Sequence, residues 1–390
     1  MAVVTGATFY RFFLPFTERG FIRNCTKVRF IPYEWVSING KAGRMKTNCT
    51  GQLMALRNIV IWVSLTSLGF GQPATKNGFD LRGPYLGQTP PGLTPQIFAP
   101  GILNAGLYTR DITMMPDARE IYYCIAVGNY TVSTILRMRE NQGRWSTPEV
   151  VPWASDARYL YGEPFISPDG RRFFFVSNQP DPLHHRNNKQ WDIWVMERIG
   201  TDWTAPATID TVVNSAGDEY FPAVTSGGTL YFTRQTSVRS NEIWRSRLVN
   251  GRYSIPEKLP EQVNCGTTRF NAFIAPDESY LIVCAVGMKD TRGATDYYVV
   301  FRNQQDQWSE PLNLGDQINT AGGLEFSPYV SPDGKYFFFM SARQTPDFFS
   351  TGQPMTYPKL LEFNLTAGNG NPAIWWVSAE VINRLRPAGF

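Results

Sequence analysis

Short hydrophobic runs separated by turn-forming residues recur along most of the chain. The stretch "FSPYVSPDGKYFFFMS", residues 326–341, places Ser-Pro-Asp-Gly between two strand-like runs, and "FISPDGRRFFFVS", residues 165–177, has nearly the same form. In such a turn Pro sets the first dihedral angle, Asp bonds to nearby backbone amides, and Gly accepts conformations that other residues resist. Each stretch is therefore predicted to form a β-hairpin.

Five copies of this hairpin pattern occur, and each continues into two further strands. The copies begin at Asp111, Glu163, Glu219, Asn271 and Glu325. A third strand follows, such as "WDIWVMER" at 191–198. A fourth is marked by an aromatic residue, a small polar residue and Pro, as in "WSTPEVV" at 145–151. Four antiparallel strands in about 50 residues correspond to one blade of a β-propeller.

The fifth copy lacks a fourth strand, and the missing strand is found near the other end of the chain. No fourth-strand pattern follows the third strand that begins at Ala373. The segment "LTPQIFAPGILNA", residues 93–105, resembles the fourth strands, and its Asn104 matches the Asn of "QVN" at 262–264. We therefore predict an all-β fold, a five-bladed β-propeller of four-stranded antiparallel blades, closed by an N-terminal strand that completes the last blade. Closure leaves no exposed sheet edge, which would otherwise invite aggregation. The chain is also expected to be a monomer.

The residues before the propeller show a different pattern. From Met54 the chain reads "MALRNIVIWVSLTSLGFGQ", in which Arg57 precedes an apolar run and small residues follow it. This is the pattern of a secretory signal peptide, and the run is too short to span a bilayer. The alternative is a buried strand or short helix of the fold. The predicted divisions are a non-native or disordered extension at 1–53, a signal peptide at 54–71, a linker at 72–92 and the propeller at 93–390.

Composition restricts the classes of function. The 390 residues are 43% hydrophobic and 18% charged, which allows a large buried core. The net charge is only +4 and the basic residues are scattered, which argues against a nucleic-acid or membrane-surface partner. The signal peptide predicts a secreted or periplasmic protein without a transmembrane segment in its mature chain. Three cysteines, Cys124, Cys265 and Cys284, follow the signal peptide. An odd number does not describe a disulfide framework, although one disulfide bond could still form.

The repeats resemble the WD40-like propellers built from PD40 repeats, a repeat also found in TolB. The resemblance covers roughly residues 93–386 and rests on "SPDG" at 167–170 and 331–334, "MPDA" at 115–118, "APDE" at 275–278 and "TSGG" at 225–228. It implies the propeller fold and an exported interaction role. TolB also carries an N-terminal α/β domain, for which residues 72–92 are too few. Because the shared motif is a structural turn, we expect its Asp residues to be structural rather than catalytic.

One face of the predicted propeller carries the variable loops. In this fold the loops between second and third strands lie on the face where each innermost strand begins, here called the loop-rich face; the Ser-Pro-Asp-Gly turns lie on the opposite, hairpin face. Long variable loops on a rigid scaffold are common binding sites. The variable loops are 178–190, 235–241, 287–295 and 343–372.

Polar residues at the start of the innermost strands, with one from a variable loop, are the candidate site. The candidate ligand-binding residues are Arg110, Asp111, Glu163, Glu219, Arg269, Asn271, Glu325 and Arg343. Arg pairs with carboxylates, and Asp and Glu accept hydrogen bonds from hydroxyls, so these residues suit a hydroxyl-rich or charged ligand. Alternatively, they pair with one another around a water-filled channel.

The predicted function is therefore binding of a protein or a glycan at the loop-rich face, without a cofactor. The alternative is a carbohydrate-active enzyme in which two mouth carboxylates, Glu163 and Glu325, act as acid and base. The chain contains no G-x-S-x-G, Cys-x-x-Cys or phosphate-binding glycine loop, and "SPDGRRF" does not match the sialidase Asp-box. His184 and His185 are adjacent on a loop, and no metal site is expected there. Whether the protein is an enzyme is left open.

Overall fold

The computed structural model describes residues 81–181, 190–238, 240–321, 323–345, 352 and 354–390. These residues form a five-bladed β-propeller, which confirms the predicted fold. The predicted extension, the signal peptide and the histidine pair lie outside the described residues. Within the described ranges, no helix has the length and apolar character needed to cross a membrane.

The strands, numbered along the chain, divide into five antiparallel sheets. The strand β1 (Gln96–Ile97) belongs to blade V. Blade I contains β2 (Tyr108–Met114), β3 (Glu120–Val127), β4 (Val132–Asn141), β5 (Arg144–Trp145) and β6 (Glu149–Val150). Blade II contains β7 (Tyr161–Ile166), β8 (Arg172–Ser177), β9 (Asp192–Ile199), β10 (Asp202–Trp203) and β11 (Ala207–Thr208).

The remaining blades repeat the same order. Blade III contains β12 (Glu219–Val224), β13 (Leu230–Ser237), β14 (Ser240–Ser246) and β17 (Glu257–Lys258), with β15 (Leu248–Val249) and β16 (Arg252–Tyr253) as a small separate hairpin. Blade IV contains β18 (Thr268–Ile274), β19 (Tyr280–Val286), β20 (Asp296–Phe301) and β21 (Leu312–Asn313). Blade V contains β22 (Glu325–Val330), β23 (Tyr336–Ser341) and β24 (Ala373–Ser378). The helices are α1 (Tyr357–Asn364) and α2 (Glu380–Asn383), with 3-10 turns at Pro84–Gly87 and Pro152–Ala154.

The innermost strands form the wall of the channel. Each of β2, β7, β12, β18 and β22 contacts the corresponding strand of the next blade, and β22 contacts β2 again. The five sheets therefore form a closed ring. Large aromatic side chains fill the space between neighbouring sheets, including Tyr123, Phe174, Phe232, Phe301 and Trp376, all essentially inaccessible to solvent. The core is thus built from the strand faces that the hydrophobic runs predicted.

The N-terminal strand closes the ring as predicted. Gln96 and Ile97 pair with Trp376 and Trp375 of β24 in an antiparallel register. The side chain of Asn104 extends this pairing: its Nδ2 donates to the carbonyl of Ile374 at 3.2 Å, and its Oδ1 accepts from the amide of Ile374 at 2.9 Å. The edge of β24, near the end of the chain, is thereby hydrogen-bonded to β1, which lies before blade I, and is not left unpaired.

An asparagine makes the same two bonds to the third strand in three other blades. The pairs are Asn214 with Ile193, Asn264 with Ile243 and Asn319 with Tyr297, with distances between 2.8 and 3.1 Å. We call Asn104 and these three residues the clasp asparagines. Each clasp asparagine bonds to one amide and one carbonyl of a buried strand. The recurring Asn in "QVN" at 262–264 and "QIN" at 317–319 is therefore a structural signature of the repeat.

The hairpin turns behave as the sequence predicts. Asp169 Oδ1 accepts from Ser167 Oγ at 2.6 Å and from the amide of Arg171 at 3.0 Å. Asp333 makes the same two bonds in blade V, with Ser331 and Lys335. Both turns place Gly at a φ of 71°, where glycine carries little steric cost. These carboxylates are occupied by their own turns.

Residues before the first strand also contact the propeller. The hydroxyl of Tyr85 donates to Asp333 at 3.1 Å, and the indole of Trp145 donates to the carbonyl of Gly83 at 2.9 Å. Part of the segment predicted as a linker thus packs on the hairpin face. A shallow, open depression of about 420 Å³ lies nearby, lined in part by Leu93, Gly334 and Ser378.

Candidate functional site

Every innermost strand carries a β-bulge at the same place. Each pairing register between first and second strands shifts once, and the residue at the shift has a positive φ. These five bulge residues are Asp111 (56°), Glu163 (54°), Phe221 (52°), Asn271 (51°) and Ser327 (66°). A non-glycine residue rarely adopts this conformation, and such strain tends to cluster at functional or structurally constrained places.

The bulges divide the candidate residues into two levels. Asp111, Glu163 and Asn271 are bulge residues, whereas Glu219, Arg269 and Glu325 lie two positions earlier, nearer the loop-rich face. The sequence comparison had placed Glu163 level with Glu219 and Glu325. Matching the glutamates shifts blade II by two residues relative to blades III and V, because the position of the bulge cannot be seen in the sequence alone. The eight candidates therefore do not form one ring.

Side chains at the bulges hold the amides of the next blade. The carboxylate of Asp111 accepts from the amide of Glu163 at 3.3 Å, and that of Glu163 accepts from the amide of Phe221 at 2.6 Å. Ser327 Oγ donates to Asp111 as well. A bulge removes an amide from ladder pairing, and a buried amide needs another acceptor. The two carboxylates supply it, so part of their role is structural.

Arg110 joins the two carboxylates into one buried cluster. Its Nη2 lies 2.8 Å from Glu163 Oε1, and its Nε lies 2.6 Å from Asp111 Oδ2, although without the alignment of a hydrogen bond. One guanidinium thus faces two acidic groups. Burial raises the pKa of Glu163 to about 7; Arg110 opposes this shift, and Asp111 reinforces it. Glu163 can therefore gain or lose a proton near neutral pH.

Glu219 and Glu325 occupy equivalent positions but have different partners. Glu219 lies 2.7 Å from Arg234 and accepts from the amide of Ser215 at 2.8 Å. Glu325 Oε1 accepts from Thr320 and Ser341, and Glu325 Oε2 is buried without a hydrogen-bond partner.

Burial is the largest influence on the pKa of both carboxyl groups. It raises the pKa of Glu219, and it raises that of Glu325 to about 7. Neither residue is accessible, since both are 0% exposed. In this conformation neither can contact a ligand.

The two remaining arginines bind backbone carbonyls. Arg269 donates to the carbonyls of Cys265 at 2.8 Å and Gly266 at 2.7 Å. Arg343 donates to the carbonyl of Gln317 at 2.8 Å, and its guanidinium lies over the ring of Trp375 at 4.9 Å. Burial lowers the pKa of both. These arginines brace the loops that precede the innermost strands.

Asn271 differs from all other candidates because its side chain has no partner. Its backbone amide donates to Thr233 Oγ1 at 3.0 Å, but no hydrogen bond involves its side-chain amide within the described residues. The residue is only 2% exposed. Its amide atoms are not among those sealed from solvent without a partner, so they border space that water can enter.

Aromatic residues surround the charged cluster at the channel mouth, and the sequence analysis did not include them. The mouth aromatics are Tyr108, Tyr130, Tyr220, Phe270 and Phe326, all partly exposed. The Tyr108 and Tyr130 rings lie 5.4 Å apart, and those of Phe270 and Phe326 lie 6.2 Å apart.

Contacts with Arg110 tie these rings to the cluster. Arg110 lies 5.1 Å from the centre of the Phe326 ring and donates to the hydroxyl of Tyr130. Burial is the main reason that the pKa of Tyr220 is raised. The charge of Glu163 raises this pKa further, and the charge of Arg110 lowers it.

A signal for these rings was present in the sequence. Tyr220, Phe270 and Phe326 immediately precede bulge residues, and a proline follows the bulge in three blades, at 164, 222 and 328. An alignment based on this proline places the bulge residues of blades II, III and V, and the residues before them, at equivalent positions.

Metal and thiol chemistry find little support in the described part of the chain. No group of three or more His, Cys, Asp and Glu residues is placed there to hold a metal ion. Cys124, Cys265 and Cys284 are free and buried, and burial raises the pKa of the first two to about 12 and about 11. Thiols protonated in this way are poor nucleophiles.

The fold defines the class of this protein as a five-bladed β-propeller. No family model matches the sequence, and no curated protein sequence matches it. Among solved structures, it is similar to a putative TolB from Agrobacterium tumefaciens, at 12% identity over 70% of this chain and 90% of that one, with a TM-score of 0.42.

Two α-L-arabinofuranosidase structures are similar at the same level. The enzyme of Podospora anserina is 11% identical over 74% of this chain and 94% of its own, with a TM-score of 0.38. The GH62 catalytic domain of Coprinopsis cinerea is 11% identical over 74% and 98%, also at 0.38. Likeness this slight says nothing about activity or partners.

Proposed function

We propose that this propeller binds a glycan at the mouth of its channel on the loop-rich face. The observation that supports this proposal is the group of partly exposed rings around Arg110 and Glu163. Aromatic rings offer flat apolar surfaces for the C–H faces of a sugar ring, and a few polar groups among them fix its hydroxyls. An apolar peptide partner would not require the charged pair at the centre.

Hydrolysis by Glu163 and Glu325 has less support than binding. Both carboxyl groups have a pKa raised to about 7, as a general acid requires. However, Glu325 is fully buried among its own loop residues, and Glu163 is held by Arg110 and the amide of Phe221. A glycosidase needs both carboxyl groups at the scissile bond. Turnover of a glycoside that Glu163→Gln, Glu325→Gln abolishes without lowering the melting temperature would restore the enzyme hypothesis.

Binding can be tested on an immobilised glycan panel, followed by calorimetry of any sugar retained. Tyr220→Ala and Phe326→Ala should each weaken the dissociation constant about tenfold or more, a loss of ~1.4 kcal/mol or more of binding free energy. Tyr253→Ala is the control, because Tyr253 is also partly buried but lies at a turn of the hairpin face. Retention of a protein partner with no sugar bound would favour the protein-binding alternative.

We also propose that the protein is exported, with residues 54–71 as the signal peptide, and that the mature propeller acts as a monomer. The pairing of β1 with β24 closes the ring at its seam, which is compatible with a free-standing propeller. Sequencing the N-terminus of the protein recovered from the extracytoplasmic fraction of its source tests the predicted cleavage after residue 71. A start before residue 72 would contradict that cleavage.

A further inference from the structure

The carboxyl group of Glu325 has one oxygen that is buried without a hydrogen-bond partner. This oxygen is Oε2, and the whole residue is 0% exposed. The other oxygen, Oε1, accepts from Thr320 Oγ1 at 2.8 Å and from Ser341 Oγ at 3.1 Å. A buried acceptor without a partner costs free energy. The position of Oε2 therefore indicates that a positive group, either a proton or a bound cation, belongs beside it.

The equivalent glutamate of blade III has partners for both of its oxygens. Glu219 Oε2 accepts from the amide of Ser215 at 2.8 Å, and Glu219 Oε1 lies 2.7 Å from Nε of Arg234. Arg234 lies opposite Glu219 in the strand pairing, whereas Ser341 occupies that place opposite Glu325. The direct ion pair of blade III is thus replaced by a hydroxyl in blade V.

The segment before Glu325 is also longer than its counterpart. Glu325 follows the clasp asparagine Asn319 by six positions, whereas Glu219 follows Asn214 by five. In blade III this segment supplies the amide that binds Glu219 Oε2. Within the described residues of blade V, no amide takes that role for Glu325 Oε2.

Two backbone carbonyls lie where an amide would be expected. A Cβ atom on Gly293 would lie 2.7 Å from the carbonyl oxygens of Thr320 and Gly323, and 3.3 Å from Glu325 Oε2. Three acceptor oxygens therefore converge beside Gly293, on the side where this residue has no side chain.

The hydrogen bonds of these carbonyls do not exhaust their capacity. The carbonyl of Thr320 accepts from the amide of Gly323 at 3.1 Å, and the carbonyl of Gly323 accepts from the amide of Ala294 at 3.4 Å. A carbonyl oxygen has two lone pairs, so each can accept one further partner. Oxygens that carry full or partial negative charge repel one another unless a positive group lies among them.

Asp296 adds negative charge to this place and holds the loop that carries Gly293. Its Oδ2 accepts from the amide of Arg292 at 2.8 Å, and its Oδ1 accepts from the amide of Gly293 at 3.1 Å. Burial is the main reason that the pKa of Glu325 is raised to about 7, and the charge of Asp296 raises it further. Both effects show that the site is short of positive charge.

Arg343 is a nearby cation, and its charge lowers the pKa of Glu325. However, its Nε donates to Ser341 Oγ at 3.0 Å, and its Nη1 donates to the carbonyl of Gln317 at 2.8 Å. Within the described residues, its guanidinium makes no hydrogen bond to Glu325. Arg343 therefore reduces the excess of negative charge without filling the place beside Oε2.

The three oxygens define the kind of cation that suits this place. A carboxylate and backbone carbonyls are hard oxygen ligands, which Ca²⁺ accepts together with water in an irregular arrangement. Mg²⁺ demands a nearly ideal octahedron and retains most of its water. Because two of the three ligands are backbone carbonyls, the site does not require a group of three acidic side chains.

We propose that Ca²⁺ binds between the variable loop 287–295 and the segment before β22, with Glu325 Oε2 and the carbonyl oxygens of Thr320 and Gly323 as its protein ligands. Water completes the coordination. Glu325 directly precedes the mouth aromatic Phe326, so the ion fixes the start of β22 at the channel mouth. Its role is structural, and it is independent of glycan binding.

The test measures Ca²⁺ binding to the full chain by calorimetry, and melting temperature in CaCl₂ against EDTA at matched ionic strength. Metal binding requires an ionised carboxylate, so pH 8 is used, above the Glu325 pKa of about 7 in the metal-free protein. Wild type is expected to bind one ion and to melt about 2–5 °C higher in about 5 mM CaCl₂ than in EDTA.

Two variants locate the ion. Glu325→Gln keeps the shape of the side chain but removes its charge, so it should abolish both the binding heat and the rise in melting temperature. Glu219→Gln removes the equivalent carboxylate of blade III, where Arg234 is already the cation, and should keep the full rise. Melting of each variant in EDTA shows that it is folded.

The outcomes decide the proposal. A rise in wild type that disappears in Glu325→Gln alone supports the site. No response of wild type to Ca²⁺ overturns it and leaves a proton on Glu325 as the positive group. An equal rise in wild type and Glu325→Gln overturns the location, and an equal rise with MgCl₂ overturns the choice of Ca²⁺.

Discussion

Polar residues that recur from blade to blade differ from those that vary around the channel. The clasp asparagines make the same bonds in each blade where they occur, as Asn104 and Asn214 show, and Asp169 and Asp333 make the same bonds in their two turns. At the bulges, by contrast, the five blades carry five different residues. A residue that repeats serves what the blades share, namely folding. A residue found once serves something the ring needs only once.

The comparison also shows that variation alone is not evidence of binding. Asp111 and Glu163 occur once each, yet both hold amides of the neighbouring blade. Arg343 and Arg269 likewise donate hydrogen bonds to backbone carbonyls. Among the candidate and mouth residues that the structure describes, the mouth aromatics keep partly exposed surface after these structural bonds are assigned, whereas Glu325 Oε2 is unpaired but buried. The separation into repeated and single residues becomes informative only when combined with a hydrogen-bond inventory.

The largest effect is expected at Arg110, a buried arginine that faces two carboxyl groups. Arg110→Met removes the guanidinium that faces Asp111 and Glu163 and leaves two buried acidic groups without their cation. Breaking a buried pair from one side costs about 3–5 kcal/mol of unfolding free energy. Urea denaturation at pH 7 measures it. Arg269→Met is the comparison, because Arg269 binds only carbonyls and strands no carboxylate; an equal loss in both variants would contradict the cluster's importance.

The contrast between residues that repeat in the blades and residues that occur once also explains which features could be predicted from the sequence. The hairpins, the blade number and the closing strand have periodic signals, because turns and clasp asparagines repeat as residue types. The bulge has no constant residue, since Asp, Glu, Phe, Asn and Ser all occupy it. Its position depends on how two strands pair, a long-range property. Glu163 was therefore aligned with Glu219, and the mouth aromatics were not recognised.

A clasp asparagine should give the next largest loss of stability. Asn104→Ala removes both bonds to Ile374 at the seam of the ring. The buried amide of Ile374 then loses its partner, whereas the carbonyl keeps the bond from the amide of Phe98. We expect a loss of about 2–4 kcal/mol, measured by urea denaturation. Asn214→Ala makes the same change inside blade II. If the seam is no weaker than an ordinary blade, the two losses will agree; a much greater loss at Asn104 would show that closure is the limiting contact.

The pH dependence of stability tests the buried glutamates. The pKa of Glu325 is about 7 in the folded protein and ordinarily 4.5, so the folded state holds more protons between these values. The stability contributed by protonated Glu325 is complete below about pH 4.5 and is lost as the pH rises through 7. Glu163 acts in the same direction.

Glu325→Gln isolates one of these two contributions. The variant should be about 1–3 kcal/mol more stable than wild type at pH 8 and nearly equal to it at pH 5, by urea denaturation at both values. Glu310→Gln, at an exposed position, is the control and should change neither. A variant less stable than wild type at pH 8 would show that the Glu325 carboxylate is stabilised by an interaction other than those described.

The smallest effect is expected at a hairpin turn, and it sharpens the comparison most directly. Asp169→Ala removes an acceptor for the hydroxyl of Ser167 and for the amide of Arg171. Water can replace the bond to the Arg171 amide, which is exposed, and the buried Ser167 hydroxyl keeps its bonds to the backbone of Arg172. We expect a loss of only about 1 kcal/mol and no change in glycan binding. Tyr220→Ala, at the channel mouth, should instead weaken glycan binding. If Asp169→Ala altered glycan binding as strongly as Tyr220→Ala, the division between repeated folding residues and single functional residues would be wrong, since the two sites lie on opposite faces.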